Sequence, residues 1–243
     1  MVHFWPYLLL VSGVFAGAVI SGFVGFAFSA VAGVFLLRLL PPAEAVPLMM
    51  ACSIAVQSAS LVTLRKCMKW RESLPYMIGG AAGIPPALYL LHHVDAWMLR
   101  LIFGLFIAAY AAYMLLHPTF SRFRGSERPS AALAVGFAGG LIGGFTAMPG
   151  AAPTIWCNLR GMSKNEQRGL VQPYITIMQC IAIALLLAGG SISSETLFDF
   201  VLSLPALAAG AALGILLFGK VSHGSYRRAV LLLLVVGGVA LVV

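Results

Sequence analysis

Apolar runs of about 20 residues, separated by short polar loops, make up most of the sequence. A hydrocarbon core of about 30 Å is spanned by roughly 20 helical residues, and six runs have this length: 44–64, 73–91, 97–116, 167–190, 197–218 and 225–243. Two further runs, 7–37 and 131–159, are longer and are interrupted by glycines. Only 9% of the residues are charged, whereas a soluble domain carries about 25%. The sequence therefore predicts an all-α polytopic membrane protein, with the lipid bilayer as its solvent.

The net charge of +8 comes from basic residues in the loops between the apolar runs. In that position they are interpreted as determinants of membrane topology rather than as contacts to nucleic acid. The four cysteines form no CxxC pair, and no metal-binding or catalytic motif such as HExxH is present. Titratable residues do not cluster inside the predicted spans, so we expect neither an enzyme nor a metal or other cofactor.

The two halves of the chain repeat each other. A shift of 122 positions places residues 17–57 on 139–179 without a gap, and the identities include the pairs Gly17/Gly139, Phe23/Phe145, Arg38/Arg160, Glu44/Glu166 and Gln57/Gln179. Further on, Leu74-Pro75 resembles Leu204-Pro205 after a small change of offset. We interpret 1–118 and 131–243 as two transmembrane repeats, joined by the polar, basic linker 119–130. Internal duplication is a common construction of secondary transporters.

The distribution of Lys and Arg predicts that the repeats are inverted. If each long opening run enters the membrane and returns to the same face, Arg38 and Arg100 lie on one side and the other thirteen basic residues on the opposite side. The positive-inside rule favours this arrangement over a single crossing, which gives seven against eight. Each repeat is then a broken hairpin followed by three transmembrane helices. Both termini, and an acidic loop containing Glu195 and Asp199, would face outward.

Glycines are predicted to break each opening run into two short helical legs. The breaks are expected at 21–25 and 143–150, which gives legs 7–21, 26–37, 131–143 and 150–159. At 1.5 Å per residue these legs are too short to span the membrane comfortably. Re-entrant hairpins explain them most simply, and two tilted full spans per run give the same topology.

The breaks also predict where a solute binds. Non-helical backbone at membrane depth is tolerated only next to protein or a water-filled cavity, and a helix start favours anions. Pro149 is expected in the first turn of the second leg. Gln57 and Gln179 are predicted to donate hydrogen bonds to the solute, although bonding between helices is an equally good interpretation of two amides in mid-span. The other candidate binding residues are Ser53, Tyr174, Thr146, Gly25, Ser29, Pro149 and Gly150.

These motifs resemble the sulfite exporter TauE/SafE family of bacteria and archaea. The resemblance is carried by 17–25 and the PPAEA stretch 41–45 in the first half, and by 139–144, the TAMPGAAP stretch 146–153 and the KNEQR stretch 164–168 in the second. Where family members often have a GxGGG-like run, the first half reads GFVGFAFSA. The resemblance implies a bacterial plasma (inner) membrane transporter that exports small sulfur-containing anions such as sulfite, thiosulfate or organosulfonates.

The expected mechanism is alternating access around a midplane anion site between two inverted halves, in a protein that could also form a homo-oligomer. Facilitated export is sufficient, because no Asp or Glu is predicted deep in a span to carry protons. Two alternatives remain at this stage. Paired re-entrant hairpins also build anion channels, and a membrane assembly factor without transport activity would depend on a protein partner.

Overall fold

The computed structural model describes residues 4–24, 27–64, 68–116 and 128–218, together with 232, 234–235 and 238–239. Most of the predicted span 225–243, residues 119–127 of the predicted linker and the candidate Gly25 lie outside the described residues. The described chain contains α-helices and no β-strand, in agreement with the predicted all-α class.

The described residues form nine helices: α1 Phe4–Val24, α2 Phe28–Leu39, α3 Pro42–Leu64, α4 Trp70–His93, α5 Ala96–Leu116, α6 Pro129–Thr146, α7 Ala151–Leu159, α8 Lys164–Ala188 and α9 Ser194–Phe218. Proline at the first position of α3 and α6 suits a helix start, because it needs no hydrogen-bond acceptor for an N–H there. Ser163 and Glu166 form a capping box at the start of α8. Within the described residues, six helices are long and apolar enough to cross a membrane: α1, α4, α5, α6, α8 and α9.

Both opening runs are broken as predicted, but the first leg of each is longer than expected. Helix α1 has 21 residues and α6 has 18, which correspond to about 31 and 27 Å. The expected ends at 21 and 143 were wrong because Gly22 and Gly143 remain helical and serve close packing instead. A Cβ at Gly22 would lie 2.9 Å from the Ala211 carbonyl oxygen of α9. Only the second legs, α2 with 12 residues and α7 with 9, are too short to cross.

Each opening run folds back on itself as an antiparallel hairpin. On α1, Gly13 faces Phe35 of α2, whereas Gly17, one turn later, faces Ala32. On α6, Gly139 approaches Pro153, and Gly143 approaches Pro149. In both hairpins the residue number rises along one leg as it falls along the other, so the chain reverses direction at the break.

The chain forms two compact units, and each unit draws on both halves of the sequence. Unit 1 comprises Met1–Val56, Val94–Leu116 and Ser191–Val243, and unit 2 comprises Gln57–His93 and His117–Gly190. In unit 1 the first hairpin helix α1 packs most extensively against α9, and in unit 2 the equivalent helix α6 packs against α4. The Leu-Pro pairs of the repeat identify α4 and α9 as counterparts. The two units thus use the same helix pairing, with each half supplying one helix to the other half's hairpin.

Both of these helix pairs are parallel, and glycines lie where the two helices are in contact. In unit 2, Gly79 faces Leu133, and Ala87 lies beside Gly144. In unit 1, Gly210 lies against the Phe15 carbonyl, and Gly214 lies one turn further along, against Val19. Small residues at such crossings let two backbones approach closely, which is the usual basis of helix association in lipid.

In each unit, three helices begin at the same end. In unit 1 the ring of Tyr7 on α1 packs edge-on against Phe198 on α9, with centroids 6.4 Å apart. Glu44 at the start of α3 interacts electrostatically with Asp199 of α9. In unit 2 the hydroxyl of Ser73 on α4 donates to the carbonyl of Leu170 on α8. Because α3 begins at the end of unit 1 where α1 begins, the chain has come back to that end after the first hairpin.

The sequence predicted that the acidic residues 195 and 199 lie in a loop, and this prediction was wrong. They belong to the first two turns of α9, and Asp199 is only 8% exposed. Both residues thus lie near the beginning of a candidate span, and their position does not contradict the expectation that no Asp or Glu lies deep in a span. Ser193 caps α9 through the backbone N–H of Thr196, so the helix begins earlier than the apolar run does.

The α4–α6 crossing provides a test of the fold. Replacing Gly136 with Ala would place a Cβ on the backbone of Tyr76, and we expect this overpacking to cost about 1–3 kcal/mol. The measurement is the thermal unfolding midpoint of purified protein in detergent. Ala134→Val is the matched control, because Ala134 is on an exposed part of α6. Equal midpoints for the two variants would contradict the crossing.

Candidate functional site

The start of α7 is a buried helix N-terminus without a side-chain cap. Gly150 occupies the cap position and Ala151 begins the helix. The N–H of Ala151 donates to the Met148 carbonyl at 3.2 Å, and Pro153 has no N–H. Ala152 is therefore the first-turn residue whose N–H is left for another acceptor. Such a start carries partial positive charge and favours an anion.

One face of α8 runs antiparallel to α7 and extends past its start. The side-chain amide of Gln167 donates to the Thr154 carbonyl at 3.5 Å. One and two turns further along, Val171 and Ile175 lie against Gly150. The next residue on this face is Gln179, whose amide nitrogen donates to the Ala147 carbonyl at 3.2 Å. Gln179 consequently lies past the start of α7, on the side of the hairpin break.

Two polar atoms near this start have no hydrogen-bond partner among the described residues. They are the Oε1 atom of Gln179 and the Oγ1 atom of Thr154, on side chains that are 2% and 1% exposed. The Cβ of a helical residue points toward the helix N-terminus, so the Thr154 side chain leans toward the start of α7. A buried polar atom without a partner is unfavourable by about 1–3 kcal/mol. The start of α7 therefore offers both a donor and an acceptor to a small polar ligand.

The start of α2 in unit 1 is the counterpart from the first half. Ala27 occupies the cap position and forms no side-chain capping bond. Ser29 is the second residue of the helix, and Ser21 lies in the last turn of α1. Both hydroxyls are almost fully buried and have no partner among the described residues. Ser21 lies one turn after Gly17, which already contacts Phe28, so its side chain faces the start of α2.

By contrast, α8 and α9 begin with capped N-termini. Ser163 accepts a hydrogen bond from the Glu166 N–H, and Ser193 accepts one from the Thr196 N–H. The hairpin breaks thus combine three properties that a purely structural turn does not need: burial, an uncapped helix start and orphan hydroxyl or amide groups.

The two predicted glutamines have different partners in the structure. Gln57 accepts a hydrogen bond at 3.2 Å from Gln172, which the sequence analysis did not single out. Gln179 bonds to the hairpin break instead. The repeat gave no signal for Gln172, because the aligned residue of the first half is Met50. For Gln57 the structure thus provides the interhelical bond that the sequence left open.

Two other predicted residues use their hydroxyls within the protein. Tyr174 donates to the Gly136 carbonyl at 2.7 Å, and Thr146 donates to the Ile142 carbonyl in its own helix at 2.6 Å. Ser53 is buried, one helical turn before Gln57 on α3. None of these contacts tests whether the three residues line a solute path, which remains a prediction.

The remaining predicted residues are those of the breaks. Pro149 was expected in the first turn of α7, but it lies before the helix. Gly150 is the N-cap residue, and the helix begins at Ala151. The proline of the first turn is Pro153, which packs against Gly139. Thr154 and Ser21 were not among the predicted binding residues. A search for hydroxyl residues within one turn of each break could have found both.

No group of three or more His, Cys, Asp or Glu within the described ranges is arranged to hold a metal ion. The family described as Sulfite exporter TauE/SafE matches residues 9–241, which is nearly the whole chain. The chain belongs to the sulfite exporter TauE/SafE family. No curated protein and no solved structure matched it. Family membership and the six long apolar helices identify a multi-pass membrane protein of a transporter family.

The Gln57–Gln172 bond of this TauE/SafE member can be tested by a double-mutant cycle. Gln57→Leu leaves the Gln172 amide without this partner, and we expect a loss of about 1–3 kcal/mol in unfolding free energy. Gln172→Leu should cost a similar amount, and the double variant should cost clearly less than the sum. Thermal unfolding of the four proteins in one detergent provides the measurement. Strict additivity would show that the two amides do not interact.

Proposed function

We propose that the protein exports small sulfur-containing anions, such as sulfite, thiosulfate or organosulfonates, across the bacterial inner membrane. The anion binds at the starts of the hairpin helices, where backbone N–H groups and buried hydroxyls replace its water. The observation that carries the proposal is the uncapped, buried start of α7 with the orphan groups of Thr154 and Gln179 beside it. Family membership supplies the solute class.

An anion of sulfur and oxygen suits these groups. Its oxygens accept several hydrogen bonds at once, and N–H and O–H donors at a helix start stabilise the negative charge without a cationic side chain. The groups named here carry no full positive charge, so they can release the anion again. Moderate affinity of this kind is what a transporter requires on the side where the solute leaves.

The proposed mechanism is alternating access by two inverted halves. The antiparallel hairpins and the paired use of α4 and α9 support this topology, because each hairpin is held by a helix of the other half. Discontinuous helices that present their N-termini to anionic groups recur in transporters built from inverted repeats. The two termini are then on the outside, as the positive-inside rule predicts.

Export down the membrane potential provides the direct test of function. An anion that leaves a negative interior gains about 2.3 kcal/mol per charge per 100 mV. We expect sulfite efflux from protein-containing liposomes to accelerate when the interior is made negative and to slow when it is made positive. The absence of flux for sulfite, thiosulfate and alkylsulfonates would refute the proposal, and flux unaffected by potential would refute electrogenic export.

The same assay tests the binding groups. Thr154→Val and Ser29→Ala each remove one orphan hydroxyl, and we expect efflux to fall by about tenfold, the equivalent of 1–2 kcal/mol. Thr176→Val and Ser203→Ala are the matched controls, because these buried hydroxyls already bond to carbonyls of their own helices. The controls should keep efflux within about a factor of two. Equal losses in all four variants would assign the effect to folding and not to binding.

A further inference from the structure

The orientation of the Gln179 side chain is determined by its partner. Its amide nitrogen lies 3.2 Å from the carbonyl oxygen of Ala147. A carbonyl oxygen only accepts hydrogen bonds, so a flipped amide would place two acceptors against each other. The nitrogen must therefore face Ala147, and the Oε1 atom must face away from it.

The Oε1 atom of Gln179 is consequently a fixed acceptor at the helix start. It is buried and has no partner within the described chain. The start of α7 also has two donors, the Ala152 N–H and the Thr154 hydroxyl, that bond to no acceptor among the described residues. A ligand that only accepts hydrogen bonds would satisfy those donors and leave Oε1 unpaired. A ligand that also carries a donor would satisfy every group.

We propose that the α7 site selects sulfur oxyanions that carry a hydrogen-bond donor in addition to their oxygens. This class comprises hydrogen sulfite and the hydroxyalkyl- and aminoalkylsulfonates, which are preferred over acceptor-only anions of the same size. The inference rests on the proposed function, because it takes the start of α7 as the anion site. A site built to bond a ligand's O–H or N–H discriminates against the analogue that lacks it, since its own polar group is then left unpaired.

The proposed preference for ligands with a hydrogen-bond donor applies to the start of α7, in the second half of the chain, and not to the start of α2. Gln57 is the counterpart of Gln179, but its Oε1 atom accepts a hydrogen bond from Gln172. The start of α2 has hydroxyl groups on Ser21 and Ser29 instead, and a hydroxyl rotates to donate or to accept. Of these groups, the Gln179 oxygen is the one that is fixed as an acceptor.

An isosteric pair of ligands tests the inference. In 2-hydroxyethanesulfonate and 1-propanesulfonate, a hydroxyl and a methyl group occupy the same place on the same sulfonate. We expect the hydroxyl compound to bind the purified wild-type protein about tenfold more tightly by isothermal titration calorimetry. In Gln179→Met, which removes the acceptor at similar volume, the ratio should fall to about one. Thr154→Val should weaken both ligands and keep the ratio.

Thr176→Val is the control for folding, and it should keep both the affinities and their ratio. Equal binding of the two sulfonates to the wild-type protein would overturn the inference while leaving the proposed anion site intact. A tenfold preference that persists in Gln179→Met would also overturn it, because the acceptor would then be another group. Failure of both sulfonates to bind, together with absent sulfite flux, would instead count against the proposed function.

Discussion

Peptide groups that leave a helix inside a membrane must find partners in the protein, because hydrocarbon provides none. This requirement explains why the helix starts that follow the two breaks are buried and why glycines lie near them. It also explains the chemistry of the site. Among the described residues, no side chain caps the N–H groups at the starts of α2 and α7, and the nearby serine, threonine and glutamine side chains have polar atoms without partners there. In the proposed function, a small anion binds both sets of groups at once.

Glycine-mediated helix pairing holds each break in place. In unit 2, α4 packs along α6 through positions where even one added carbon would meet backbone, as at Gly136 and Gly140. In unit 1, α9 packs along α1 in the same parallel sense through Gly210 and Gly214. Because the pairing helix always comes from the other half of the chain, neither hairpin is supported by its own repeat alone. This exchange involves both halves of the predicted repeat.

The sequence predicted the helical class, the family and the presence of both breaks, because apolar length, the repeat and the charge distribution are strong one-dimensional signals. It misjudged the ends of α1 and α6, since a glycine that permits close packing resembles one that breaks a helix until the neighbouring helix is known. The contact of Gln57 with Gln172 and the burial of Asp199 depend on tertiary packing. Thr154 was missed because the aligned residue of the first half is Ala32, so the repeat gave it no signal.

Anion binding at the start of a hairpin helix can be observed directly with selenite, the selenium analogue of sulfite. Crystals of the protein soaked in selenite and measured at the selenium absorption edge would locate the anion by its anomalous signal. We expect a selenium peak at the start of α7, with the selenite oxygens about 3 Å from the Thr154 hydroxyl and the Ala152 N–H, and the Thr154→Val protein should lose this peak. Selenite bound elsewhere, with the start of α7 empty, would contradict anion binding at this helix start.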